Sequence, residues 1–156
     1  MILGVPDWDS YFLGIARAVS LRGKCTRRKV GAILVDRQRR IVSTGYNGFP
    51  SGTKGDCLTG ACPRGHMSYS EVPADSHYTD PSSPGYCPAT HAEANAMLYS
   101  GERTIGCTMY TTAKPCPDCQ RLIASGGVTR VFWQECKGEV IESLIPMSIF
   151  DRLCND

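Results

Sequence analysis

Near the start of the chain, apolar side chains recur at helical spacing, at Tyr11, Phe12, Ile15, Ala16 and Val19. With Asp7 or Asp9 placed to cap it and Gly23 to stop it, the segment from Asp7 to Arg22 reads as an amphipathic helix. The period then shortens. Val30 to Val35 and Arg40 to Tyr46 are short β-rich runs separated by the polar Asp36-Arg37-Gln38-Arg39, the pattern of a hairpin. Farther on, His91 to Ser100 reads as a helix, Thr108 to Thr112 as a strand, Cys116 to Ser125 as a helix stopped by Gly126-Gly127, and Val128 to Trp133 as a strand. The tail from Glu139 to Leu153 reads as a helix broken at Pro146. A hairpin followed by alternating helices and strands predicts an α/β fold, a three-layer α/β/α sandwich around a central mixed sheet of about five strands.

One stretch breaks the pattern. Asn47 to Ala89 is rich in Gly, Pro, Ser and Asp, has little periodicity, and is too long for a simple connector, so it needs a function or an organising metal. The expected organisation is a single domain over residues 1–156 with a long loop insertion at about 47–89. At 156 residues and 42% hydrophobic, the chain is large enough to bury a core without disulfide support.

Charge and termini narrow the partners. The net charge is only +2 and the Lys and Arg residues are mixed with acids, so no strong polyanion-binding face is expected, which argues against a long nucleic acid partner. The segment from Met1 to Asp7 lacks a basic region and a long apolar run, so neither a signal peptide nor a membrane span is expected, and the cytoplasm is the default compartment. The nine cysteines then read as metal ligands and buried thiols rather than disulfides, with Cys107, Cys136 and Cys154 as plain thiols.

The chemistry lies in two short strings, His91-Ala92-Glu93 and Pro115-Cys116-Pro117-Asp118-Cys119. A catalytic zinc takes three protein ligands and keeps a fourth position open, whereas a structural zinc is usually closed by four. His91, Cys116 and Cys119 supply one imidazole and two thiolates. If Pro115 precedes or opens a helix, Cys116 and Cys119 share one face near its N-terminus, where the helix dipole favours thiolates. Zinc lowers the pKa of a bound water from about 15.7 to about 7. Glu93, on the first turn of a second helix, can face the open position without binding metal and shuttle a proton to a ring nitrogen and a leaving amine. The competing reading, an ordinary helix start beside a closed structural site or a redox CxxC pair, leaves His91 and Glu93 together unexplained.

These strings, with Cys25-Thr26-Arg27-Arg28-Lys29-Val30-Gly31, Gly45-Tyr46-Asn47-Gly48-Phe49-Pro50 and His91-Ala92-Glu93-Ala94-Asn95-Ala96, resemble the cytidine deaminase superfamily and, within it, the deoxycytidylate (dCMP) deaminases. The resemblance runs from Lys24 to about Trp133, and Gly-Tyr-Asn-Gly is its discriminating string. It implies hydrolytic conversion of dCMP to dUMP and ammonia, supplying dUMP for thymidylate synthesis. It further implies that Asn47 hydrogen-bonds the deoxyribose, that the Ala92 backbone contacts the pyrimidine carbonyl, and that Glu93 addresses N3 and the amine. Asn47 also suits a turn beside Gly48. Arg27 and Arg28 are candidates for the 5′-phosphate, because guanidinium matches phosphate bidentately. Trp133 is a candidate for the base pocket, against the alternative of core packing. Lys114 departs from the residues relatives carry before Pro-Cys and reads as a solvated side chain.

Outside the catalytic strings, Cys25, Cys57, Cys62 and Cys87 make up a tetrahedral set for a second, structural zinc. The resemblance supports metal at the Cys25-like and Cys57-like positions, with His66 and His77 as competing ligands. Four reduced thiols in a packed loop remain the alternative. The resemblance also implies a homo-oligomer and regulation by dCTP and dTTP. CMP or a 5-modified (d)CMP stands as the alternative substrate, with a nucleic-acid-editing deaminase and a non-catalytic nucleotide sensor as rivals of other kinds.

Overall fold

The computed structural model describes residues 4–134 and the backbone of residues 140–143. Helix α1 spans Trp8–Ser20, strands β1 and β2 span Gly31–Val35 and Ile41–Tyr46, helix α2 spans Ala92–Leu98, β3 spans Thr108–Thr111, α3 spans Pro117–Ser125, and β4 and β5 span Arg130–Gln134 and Val140–Ser143. Asp7 caps α1, its carboxylate accepting from the Ser10 amide at 2.8 Å. The strands form one mixed sheet in the order β2-β1-β3-β4-β5. Only β3 and β4 run parallel, which is why α3 lies between them in sequence.

Alternation along the strands sorts the core into two halves. Ala32, Leu34, Met109, Val131 and Trp133 point to one face and pack with Ala92, Ala96, Cys119 and Ile123 of α2 and α3. Ile33, Val35, Tyr110 and Phe132 point to the other and pack against Phe12, Leu13 and Ala16 of α1. Two glycines set the layer spacing. A Cβ on Gly31 would come within 2.2 Å of the Ala16 carbonyl oxygen, and one on Gly45 within 2.2 Å of the Ala92 carbonyl oxygen. Both helices therefore approach the sheet more closely than any side chain allows.

The expected sandwich is the observed one, and the expected elements recur within a residue or two at their ends, except in the tail. Val140–Ser143, expected as helix, is a strand that pairs antiparallel with β4, with Gln134 opposite Val140. The β-branched Val140 and Ile141 suit a strand, and β4 offers them an open backbone edge. The rest of the expected tail helix lies outside the described residues. The 47–89 insertion is a loop with one short 3₁₀ turn at Arg64–His66, and it is closed at its base by reciprocal backbone bonds between Gly48 and Thr90 at 3.2 and 2.8 Å.

Candidate active site

Two helix starts face each other at one end of the sheet. His91 is the residue before α2, with extended backbone and no capping bond from its side chain, so its ring is available. Cys116 is the residue before α3, Pro117 opens that helix, and the Cys116 sulfur accepts from the Cys119 amide at 3.5 Å. Pro115 thus precedes the helix, which opens at Pro117, and both sulfurs lie at its positive end.

His91 Nδ1 lies 3.4 Å from Cys116 Sγ and 3.5 Å from Cys119 Sγ. A tetrahedral centre with Zn–S bonds of about 2.3 Å and Zn–N bonds of about 2.0–2.1 Å separates N from S by roughly 3.6 Å, so the three donors fit zinc. Among the described residues, this is the one His/Cys/Asp/Glu group whose ligand atoms all lie within 4.8 Å of one another. Burial, then the nearby Glu93 and Cys116, push the Cys119 thiol well above its ordinary pKa. A bound dication would favour the thiolate form of these ligands.

Glu93 is 3% exposed. Burial pushes its carboxyl above the usual carboxylate range, opposed by its own backbone amide, His91, Thr111 and Arg28. Its Oε2 lies 3.9 Å from Cys119 Sγ, on the ligand side, and its Oε1 accepts from the Thr111 hydroxyl at 3.2 Å. Glu93, His91 and Ala92 border a cavity of about 370 Å³. Arg27, Arg28, Arg64 and Lys114 supply four cations to its wall, and Asn47, Tyr69 and Tyr78 also line it. The Tyr78 ring stacks on His91 with centroids 5.6 Å apart, and burial followed by the Cys116 charge raises its phenol to about 12.

Asn47 lines the cavity, but its side chain is engaged with backbone: Oδ1 accepts from the Val30 amide and Nδ2 donates to the Arg28 carbonyl, both at 2.8 Å. It ties the Arg27–Arg28 segment to the end of β2. Arg27 donates to the Met67 carbonyl at 2.7 Å and lies 4.1 Å over the Tyr69 ring. Trp133 is not brought to the cavity wall. Strand alternation directs it into the core with α2 and α3, at 5% exposure, with the Lys114 ammonium 6.0 Å from its ring. Lys114, read from sequence as a solvated side chain, is exposed and also borders the cavity.

Cys25, Cys57, Cys62 and Cys87 gather in one region, whereas Cys107 is buried in the core with α2 and α3. Cys62 Sγ and Cys87 Sγ are 3.9 Å apart, and burial followed by the neighbouring Cys62 and Cys25 pushes the Cys57 thiol up to about 12. Amides of Arg27 and Arg28 point at Cys25 Sγ, both at 3.4 Å, and the Gly65 amide points at Cys62 Sγ at 3.3 Å. His66 is exposed and bonds the Gly60 carbonyl, and His77 is exposed. Sequence reasoning missed Thr111, Arg64 and Tyr78. Thr111 could have been found as a polar residue two positions from Met109 on a buried strand face, whereas nothing periodic marks Arg64 or Tyr78 within the loop.

A family profile described as "Cytidine and deoxycytidylate deaminase zinc-binding region" matches residues 6–135. The deoxycytidylate deaminase of Mycobacterium phage D29 is 50% identical over 129 residues, covering 82% of this chain and 94% of that protein. The deoxycytidylate deaminase of Saccharomyces cerevisiae is 33% identical over 132 residues, 83% of this chain but only 38% of that protein's length. The crystal structure of dCMP deaminase from the cyanophage S-TIM5 in complex with dCMP and dUMP superposes with a TM-score of 0.62 at 31% identity, covering 85% of this chain and 84% of that one. A three-ligand zinc site, a buried glutamate beside it and these relatives converge: the chain belongs to the cytidine and deoxycytidylate deaminase family of zinc enzymes.

Proposed function

We propose that this chain hydrolyses dCMP to dUMP and ammonia, and that the observation carrying this reading is a buried proton shuttle, Glu93, beside a three-donor zinc site under a cation-rimmed cavity. Zinc held by His91, Cys116 and Cys119 would supply the Lewis acidity that makes water nucleophilic at neutral pH. Glu93 takes one proton from the water and delivers it to N3 as the water oxygen bonds to C4; it then takes the second proton from the new C4 hydroxyl and passes it to the C4 amine, so that the C4–N bond breaks, ammonia leaves and the uracil carbonyl remains. The Ala92 amide, at the buried start of α2, suits the pyrimidine carbonyl, and Asn47 suits the sugar edge. Arg27 and Arg28, joined by Arg64 and Lys114, suit a 5′-phosphate, since guanidinium forks bind phosphate in pairs. Cys25, Cys57, Cys62 and Cys87, whose sulfurs do not all lie as close together as the donors of the first site, are ligands that a second, structural zinc would draw together, fixing the loop that carries Arg64 and Tyr78. Metal analysis of pure protein should give two zinc ions per chain, and one per chain would remove that assignment.

The test is ammonia release from zinc-loaded enzyme with dCMP, CMP, deoxycytidine and 5-substituted dCMP, each with and without dCTP or dTTP. Turnover of dCMP far above deoxycytidine supports the reading. Preference for CMP or a 5-substituted nucleotide reassigns the substrate while keeping the chemistry, and no turnover of any of them contradicts it. A change in dCMP saturation with dCTP or dTTP would add an effector site. Leu98, Tyr99 and Leu122, on or beside α2 and α3, are solvent-exposed apolar side chains that suit a homo-oligomer contact, which light scattering would detect. Among the described residues no helix is long and apolar enough to cross a membrane, and we assign the enzyme to the cytoplasm.

A further inference from the structure

Thr111 sits at the centre of the sheet on β3, paired with Ala32 of β1 on one side and Trp133 of β4 on the other. It is fully buried, and its side chain shares the α2/α3 face with Met109. An apolar β-branched residue would fill this position by volume, so the hydroxyl calls for a reason. It donates to Glu93 Oε1 at 3.2 Å, a bond that crosses from the sheet to the first turn of α2. The donor direction follows from the chemistry, because an ionised carboxylate only accepts.

A buried carboxylate beside a metal site has two equivalent oxygens and a terminal torsion with a broad, roughly two-fold profile. In this chain the two oxygens are made unequal. Oε1 is engaged by Thr111 on the sheet side, and Oε2 is left on the side of Cys119, at 3.9 Å from its sulfur. A shuttle that must receive a proton at one place and deliver it a few ångströms away needs that oxygen in a single position. We propose that Thr111 is a positioning residue for the deamination step: its hydroxyl fixes the Glu93 carboxylate plane so that Oε2 alone carries the proton. This rests on the deaminase reading of the site. Thr111 is neither one of the residues lining the cavity nor one of the zinc ligands, so it acts through Glu93.

The test pairs Thr111→Val, which keeps the shape and removes the hydroxyl, with Thr111→Ser, which keeps the hydroxyl. In zinc-loaded enzyme, misplacement of a catalytic group should lower the kcat of the valine variant by about fivefold or more while KM stays within about twofold, and the serine variant should recover most of that loss. A smaller drop, a loss confined to KM, or a serine variant as impaired as the valine variant would overturn the proposal. Thermal unfolding and zinc content are read alongside, and a valine variant that loses zinc or folds poorly marks a structural role and also overturns it. A crystal structure of zinc-loaded Thr111→Val gives a readout independent of turnover. Glu93 should occupy more than one carboxylate orientation there, and one unchanged orientation contradicts the proposal. Should the wild-type enzyme fail to deaminate dCMP, the substrate reading fails, and the crystallographic readout still decides the role of Thr111.

Discussion

A glutamate that is 3% exposed and held above its ordinary pKa by burial is an expensive residue to keep unless it handles protons. Glu93→Gln keeps the volume and the bond from Thr111 in reach but removes the basic oxygen, so deamination should fall by about 10²-fold or more while zinc content is unchanged. Metal analysis beside ammonia release separates the two effects. At the rim, hydrogen bonds to charged groups contribute about 1.5–3 kcal/mol, so Arg27→Ala should raise KM for dCMP by roughly tenfold or more and leave deoxycytidine nearly unaffected. Steady-state kinetics on both substrates check this. The residues of the metal site were legible because their spacing is local: one ligand lies two residues before the shuttle, and two ligands share the first turn of one helix. Residues whose meaning depends on what crosses from another element were not. Thr111 gains its role from α2, Arg64 from the folding back of the long loop, and Trp133 is directed into the core by a strand alternation that its sequence position alone did not fix.

The elements exist to bring two helix starts together, and close packing sets how well they do it. Gly45 lets α2 rest on β2, and a methyl there would meet the Ala92 carbonyl and the Ala96 amide at 2.2 and 2.4 Å. Gly45→Ala should therefore destabilise the protein and also displace Ala92 and its neighbours His91 and Glu93, lowering both Tm and kcat, as melting curves and kinetics would record. The glycine of Gly-Tyr-Asn-Gly is thus a packing residue, and the asparagine a strap on the Arg27–Arg28 segment. Removing the α1 cap by Asp7→Ala is a milder lesion, expected to cost about 1 kcal/mol in urea unfolding with little change in kcat. Helices and strands were readable wherever one face is buried, because apolar positions then repeat with the period of the element. The tail misled because Val140-Ile141-Glu142-Ser143 is too short to show a period, and the edge of β4 decides its conformation.

At the scale of the molecule, a five-stranded sheet carries its catalytic centre at one end and folds a long loop back over it. The loop is tied to the segment after α1 by the Lys24–Asp56 ion pair at 2.8 Å. The Lys24 hydrogen bond holds the Asp56 carboxyl below the ordinary aspartate range. A depressed folded pKa adds stability above the unfolded value near 4, and that stability is lost as pH falls through the lower folded value. The Tm difference between wild type and Asp56→Asn should therefore be present at neutral pH and shrink below about pH 4. The most direct measurement of all compares zinc-loaded, metal-stripped and Glu93→Gln protein for dUMP and ammonia formed from dCMP. Zinc-loaded wild type should yield the two products in equal amounts, stripped protein should regain turnover only on adding zinc, and Glu93→Gln should yield neither. Deamination that persists without zinc or without the Glu93 carboxylate would contradict the assignment of this site as the catalytic centre.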